Sequence, residues 1–461
     1  MSTSSSSVLL QNLIRLSEPL KESLCRTPYT PPESYASVSV KSQLQSLLPN
    51  TPVSEPEVRI KVKNFALFCA ALASSSNSTS MHLSWVPDSL SSSAVSAFEE
   101  FAQAYYAVFM HSKCLMKVGE LELDFGGVVE SEKKLVIELM PEVLPLLKSN
   151  IKESAIDASD EGDGISAASA RAPVAYAILA AYQFRWFVTQ VDAPYIGKLS
   201  HLLIPCALTA LDHWSPEVKG QGMISFIYLA KNVKAEEIGG YADVILDACC
   251  QNIASDDEIW HYVVEMSVLL VTLTQQRNPR SSWYEKLLNE MLNHLERQPR
   301  NKQRRIAWLA HCEPLFSGLG LILLAHFRRL FPLFFKWMHA DDDETVLLVL
   351  ERMATVVKLT WMWNSLYIER SGLDMDMVGI KCPTWSHRSQ FNAIWIKHKD
   401  DPNLTTLLPS LSEKEVRILV EHHLTKSYTQ FYESSAELWY RFSKTLGAPD
   451  FGSRRIPISL E

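Results

Sequence analysis

Chemistry in this chain would have to come from a few short groups of side chains. Asp341-Asp342-Asp343-Glu344 gathers four carboxylates, a set suited in type to a hard cation, but one run brings together fewer oxygens than such an ion needs. The same run stands where acids stabilise the positive end of a helix, and opening a helix is its expected role. His422-His423 and His311-Cys312 lack further ligands at matching helical spacing, so no metal site is expected there. Eight cysteines, at 25, 69, 114, 206, 249, 250, 312 and 382, fall mostly within apolar stripes. Cys249 and Cys250 point to different sides of a helix and lack the two-residue spacing of metal or redox pairs. The cysteines read as reduced core residues of an intracellular protein. No Gly-rich phosphate loop, nucleophile-elbow serine or HExxH helix occurs. No catalytic residue, cofactor or metal is expected, and the chain reads as a non-enzyme.

Two groups look made for contact. Arg297, Arg300, Lys302, Arg304 and Arg305 crowd a turn and the start of a helix. Positive charge there opposes the helix dipole, which fits either a solvated corner or a patch for an acidic partner. Trp361 and Trp363, in Leu359-Thr360-Trp361-Met362-Trp363, either close a core after a helix or form an exposed aromatic anchor.

The elements that would carry these groups are helices. Apolar residues recur at the three-and-four spacing of helix faces, while alternating β-branched runs are scarce. Tyr195–Val233 reads as two antiparallel helices joined at Leu211-Asp212-His213-Trp214-Ser215-Pro216. Asp212 ends the first helix; Ser215 is placed as N-cap of the second, with Pro216 at its first position and Glu217 at the positive end of its dipole. Gly222 lies on an apolar face with Val218, Phe226 and Leu229, where it permits close approach of another helix.

The unit repeats. Leu203-Ile204-Pro205 has counterparts in Leu139-Met140-Pro141 and Leu330-Phe331-Pro332, each a proline within a helix pattern, where it bends the helix. Partner-helix starts near Pro173, Pro216, Asp256, Asn301 and Asp343 recur every ~40–45 residues, within the ~40–47 of HEAT and armadillo units. The expected fold is all-α, a right-handed α-solenoid of HEAT/ARM-like helical pairs. Residues 1–35 form an N-terminal helix, marked by Leu9, Leu13, Leu16, Leu20 and Leu24, and a Pro-rich connector. Residues 36–461 form one solenoid, interrupted at about 151–170 by an acidic, Ser/Ala/Gly-rich stretch too poor in apolar groups to order itself. Ser255 and Glu258 are set for a capping box; beyond Ser371 the pattern turns less regular, with a loop to Arg388 and helices over Phe391–Lys399 and from Ser412.

Composition narrows function further. Hydrophobic residues make up 47% of 461, enough for a large core, and the formal net charge of −8 argues against a general nucleic-acid binder. No secretory signal or membrane-spanning run is apparent, so a soluble intracellular protein is expected.

At the central corner the chain resembles the Tti-two-type subunit of the Triple T complex, a family of HEAT-like helical-repeat proteins. Leu211, Asp212, Trp214, Pro216, Lys219 and Gly222, in the order L-D-x-W-x-P-x-x-K-x-x-G, carry the resemblance; Asp343-Glu344-Thr345 and Thr360-Trp361 are weaker echoes. His213 stands where the family often has a second aspartate. The resemblance implies a non-catalytic adaptor, cytoplasmic and also nuclear, that joins Tel-two and Tti-one type subunits. With the Hsp90 machinery it would support phosphatidylinositol-3-kinase-related kinases. No specific nucleic acid, membrane or small-molecule partner is expected. The rival reading is an importin-like armadillo protein with an acidic face for basic peptides, although the inward Trp and Asn ladder of such grooves is not visible in the sequence.

Overall fold

The computed structural model describes residues 3–30, 39–48, 58–77, 83–109, 115–118, 121–124, 129–154, 173–276, 278, 280–340 and 342–370. They are almost all helical and fall into two compact units, Met1–Gln276 and Arg277–Glu461. The first unit opens with α1 (Thr3–Arg26), α2 (Val40–Leu47), α3 (Val58–Ala73) and α4 (Asp88–Phe109). The expected leucine stripe of α1 is buried throughout, from Leu9 to Leu24. An antiparallel hairpin follows, β1 (Leu115–Val118) with β2 (Leu121–Asp124), in register Leu115 to Asp124. It departs from the purely helical expectation; alternation over four residues is too short to stand out in the sequence.

Then come α5 (Ser131–Glu153), α6 (Val174–Thr189), the single turn α7 (Tyr195–Lys198), α8 (Ser200–Leu211), α9 (Pro216–Asn232), the short α10 (Ala235–Ile238), α11 (Ala242–Asn252) and α12 (Trp260–Thr274). Their packing has two layers. Helices α3, α6, α9 and α12 pack in succession, α4, α5, α8 and α11 do the same, and α3 with α4, α5 with α6, α8 with α9 and α11 with α12 join the layers. The sequence explains which layer is inner: α6 (VAYAILAAYQFRWFVT) and α12 (WHYVVEMSVLLVTLT) are apolar around most of their circumference, as a helix flanked on several sides must be. Pro141 and Pro205 lie inside α5 and α8, and Pro332 inside a helix of the second unit, as the shared phrase implied.

The second unit holds α13 (Ser282–Arg297), α14 (Lys302–His311), α15 (Glu313–Leu319), α16 (Leu323–Met338) and α17 (Asp343–Arg370). Its core is aromatic: Trp308 lies 5.6 Å from Phe316 and 5.9 Å from Trp337, ring centre to ring centre. By length and composition the stretch Glu313–Met338 is apolar enough to cross a membrane, contrary to the reading that no run was long enough. It is broken at Gly320, whose φ of 52° ends α15, and Leu315, Phe316, Phe334 and Trp337 are buried in this core.

Several boundaries differ from expectation. The acidic stretch begins later, because α5 runs to Glu153 and Ile151 is buried; residues 155–170 lie outside the described residues. The Ser255–Glu258 capping box does not form. The Trp260 indole donates to the Ile253 carbonyl (3.0 Å), residues 254–259 turn irregularly, and the helix starts only at Trp260. Helix α15 was not anticipated. Helix α17 runs on to Arg370, so Trp361 and Trp363 sit within a helix and not after one. Their side chains, like Gly126-Gly127, Cys114, Cys382, His422-His423 and the helices expected beyond Ser371, lie outside the described residues.

Candidate functional site

The α8–α9 corner gathers the residues singled out above, and close packing explains their types. Leu211 is fully buried at the end of α8, and Asp212 ends that helix with its N–H on the Leu208 carbonyl. A Cβ on Gly222 would stand 2.9 Å from the Ala210 Cβ and 3.3 Å from the Ala207 carbonyl oxygen. Glycine there is what lets α9 lie against α8, with two alanines opposite completing the fit. Pro216 occupies the first turn of α9, where its missing N–H leaves nothing unsatisfied.

The corner departs from expectation at Ser215. It holds the N-cap position, yet its hydroxyl makes no capping bond. Its backbone N–H donates instead to His213 Nδ1 (3.0 Å), while His213 Nε2 meets the Ser154 carbonyl at 3.2 Å. An amide can only donate, so Nδ1 is the acceptor and the ring proton sits on Nε2, donating to Ser154. The Trp214 indole N–H donates to the same carbonyl (3.2 Å), and the two rings stack 5.6 Å apart. One carbonyl at the end of α5 thus accepts from two neighbouring rings. The Ser154 hydroxyl donates to the Pro173 carbonyl (3.2 Å), the residue that opens α6. Three helix ends, of α5, α6 and α8, are tied at one point.

Electrostatics agree with a neutral latch. Burial, more than the opposing bond from Ser154 and with help from Lys219, holds the His213 pKa down at about 4. His213 is fully buried and stays uncharged near neutrality, with both nitrogens engaged. Burial raises the Asp212 carboxyl above its ordinary value against the pull of Lys219, and burial lowers Lys219 against Asp212 and Asp256. Asp212 is exposed, Lys219 half-buried, and the Trp214 side of the corner opens to solvent with 37% of that residue accessible. The buried thiols nearby are inert: burial pushes Cys206 and Cys249 up to about 12.

No family model matches the chain. The uncharacterized protein At2g39910 of Arabidopsis thaliana is 53% identical to it over 423 residues, covering 88% of this chain and 95% of that one. The chain belongs to that protein's family. Among solved structures, an engineered protein from the Northeast Structural Genomics Consortium aligns over 90% of this chain and 98% of its own, with a TM-score of 0.39 and 12% identity.

The basic group is split by the fold. Arg304 is buried. Arg305 reaches Asp342, and its Nε donates to the Thr345 hydroxyl (3.0 Å); Lys302 stands 3.8 Å from Asp342. Only Arg297, Arg300 and Lys302 remain exposed. The acidic run at 342–344 opens α17 as expected, with Asp342 Oδ1 accepting the Thr345 N–H (2.9 Å). Sequence reasoning missed His213, because its partner is a carbonyl 59 residues away. The only signal was a histidine between an aspartate and a tryptophan at a helix end.

Proposed function

We infer that this chain is a non-catalytic helical-repeat adaptor, a right-handed α-solenoid of HEAT/ARM-like pairs that serves as the Tti-two-type subunit of a Triple T-like co-chaperone assembly. Its partners on this reading are Tel-two and Tti-one type subunits, working with the Hsp90 machinery on phosphatidylinositol-3-kinase-related kinases in the cytoplasm and nucleus. The stacking of α5/α6, α8/α9 and α11/α12 as successive pairs supports the repeat reading, since such pairs bury their faces only against neighbours. The observation that carries the contact reading is Trp214. Its indole N–H is fixed on Ser154 and its ring on His213, yet more than a third of the residue faces solvent, a rigid aromatic of the kind that anchors interfaces.

The test is a native pull-down with quantitative mass spectrometry on full-length wild type and the Trp214→Ala and Trp214→Phe variants, with melting measured in parallel. Trp214→Phe keeps a ring but loses the bond to Ser154. Recovery of Tel-two and Tti-one type subunits should fall in Trp214→Ala and persist in Trp214→Phe, with both variants folded. Equal recovery from all three, or recovery of import factors alone, would contradict the reading.

A further inference from the structure

The α13–α14 turn presents an unusual charge balance for a chain whose net charge is −8. Arg297 ends α13, Arg300 lies in the turn, and Lys302 opens α14 with no acidic residue in its first turn. All three are exposed. Two neighbouring acids are already engaged: Glu296 binds Arg329 through both oxygens (2.8 and 2.9 Å), and Asp342 holds Arg305. Neither Arg297 nor Arg300 pairs with an acid among the described residues. Behind them the buried guanidinium of Arg304 and the positive end of α14 add to the same field. His294 on α13 lies in the same field: burial first, then Arg304 and Arg297, lower its pKa against the pull of Glu290.

The turn is also rigid. The Trp337 indole donates to the Pro299 carbonyl (2.8 Å), the Asn301 side chain caps α14 at the Arg304 N–H (3.2 Å), and the Asn301 N–H returns to Gln298 (3.1 Å). A fixed turn backbone keeps the three cations at set positions, so only side-chain freedom is lost when they meet a charged ligand. We propose that Arg297, Arg300 and Lys302 form a docking surface for an acidic polypeptide segment of a partner protein. Carboxylate side chains supply the counter-charges that Arg297 and Arg300 lack, and guanidinium pairs at those two residues give the contact its geometry. This surface belongs to the second unit and the Trp214 contact to the first, and each is tested by its own variants.

The experiment titrates the full-length protein against a fluorescent peptide of alternating glutamate and alanine, at low and physiological salt. Arg297→Glu/Arg300→Glu is compared with Lys198→Glu/Lys234→Glu, the same charge change at exposed positions of the first unit. The peptide should bind wild type, weaken as salt rises, lose affinity by about tenfold or more in the first variant, and bind the second nearly as well as wild type. Arg297→Gln/Arg300→Gln, which adds no repulsion, should weaken it in the same direction even if the charge reversal unfolds the turn. No binding by wild type, or equal loss in both charge-reversed variants, would overturn the proposal. So would tighter binding of single-stranded RNA or of phosphatidylserine vesicles with the same dependence on Arg297 and Arg300, which would make the surface a nucleic-acid or membrane site.

Discussion

The α8–α9 and α13–α14 corners solve one problem, turning the chain between two helices, with opposite chemistry. The first excludes charge from its centre: small residues interlock at Gly222, and a neutral histidine links the turn to a distant carbonyl. The second is built on ions: Arg305 and Lys302 lean on Asp342 at the start of α17, and Arg329 forks onto Glu296, Asn289 and Asn293 of α13. The lesson is that the same helical-pair architecture does not imply the same source of stability. Each corner has its own vulnerability, and perturbations should separate them.

The largest effects should come from the elements that each corner cannot replace. Asp342→Ala leaves Arg305, whose side chain is only 12% accessible, without its counter-charge. Unfolding of the second unit in urea should then ease by about 3 kcal/mol, the scale for removing one partner of a buried pair. Gly222→Leu forces α8 and α9 apart, because even a first carbon meets Ala210; a loss of about 2–3 kcal/mol in the first unit is expected for such overpacking. If either substitution loosened the other unit by as much, the two corners would not be independent.

A smaller effect sharpens the contrast. His213→Leu keeps approximate volume but leaves the Ser215 N–H without an acceptor and removes one donor from Ser154, at a cost of about 1–2 kcal/mol. His213→Gln, which can both donate and accept, should recover part of it. Smaller still is the response to salt. Raising ionic strength should weaken the partly exposed Arg329–Glu296 pair by a few tenths of a kcal/mol, and leave the α8–α9 corner unchanged.

These differences were unevenly legible in the sequence. Pro216 at a first turn, Gly222 on an apolar face, and Asn301 and Asp343 as helix starts are local signals, because each effect acts within one turn of its residue. The leucine stripe of α1 and the interior prolines of α5, α8 and α16 were legible for the same reason. What was hidden depends on distant neighbours. Ser154 is the partner of His213 across 59 residues, and Arg304 is buried while its neighbour Arg305 turns to Thr345, 40 residues on. Charge type alone could not separate buried Arg304, the Asp342-paired Arg305 and Lys302, and the exposed Arg297 and Arg300. The Ser255–Glu258 pattern misled because residues 254–259 turn irregularly and the helix starts only at Trp260, whose indole holds the Ile253 carbonyl.

The most direct test of the contrast is acid. The His213 pKa is about 4 when folded, below its ordinary 6.5, so its contribution to stability is present above 6.5 and is lost as pH falls from there towards 4. Asp342 is the reverse case in a lower window. Burial would raise it, but bonds from Thr345 and Arg305 hold it at about 2, so its contribution stands above 3.8 and is lost between 3.8 and 2. Hydrogen exchange on the full-length protein, corrected for the intrinsic pH dependence, should show amides of the α8–α9 corner losing more protection between pH 6.5 and 4 than those at the start of α17, where the downward shift of half-buried His294 on α13 adds only a smaller loss. In His213→Gln that early loss should disappear. Equal loosening of both corners, or a larger loss at the start of α17, would contradict the account.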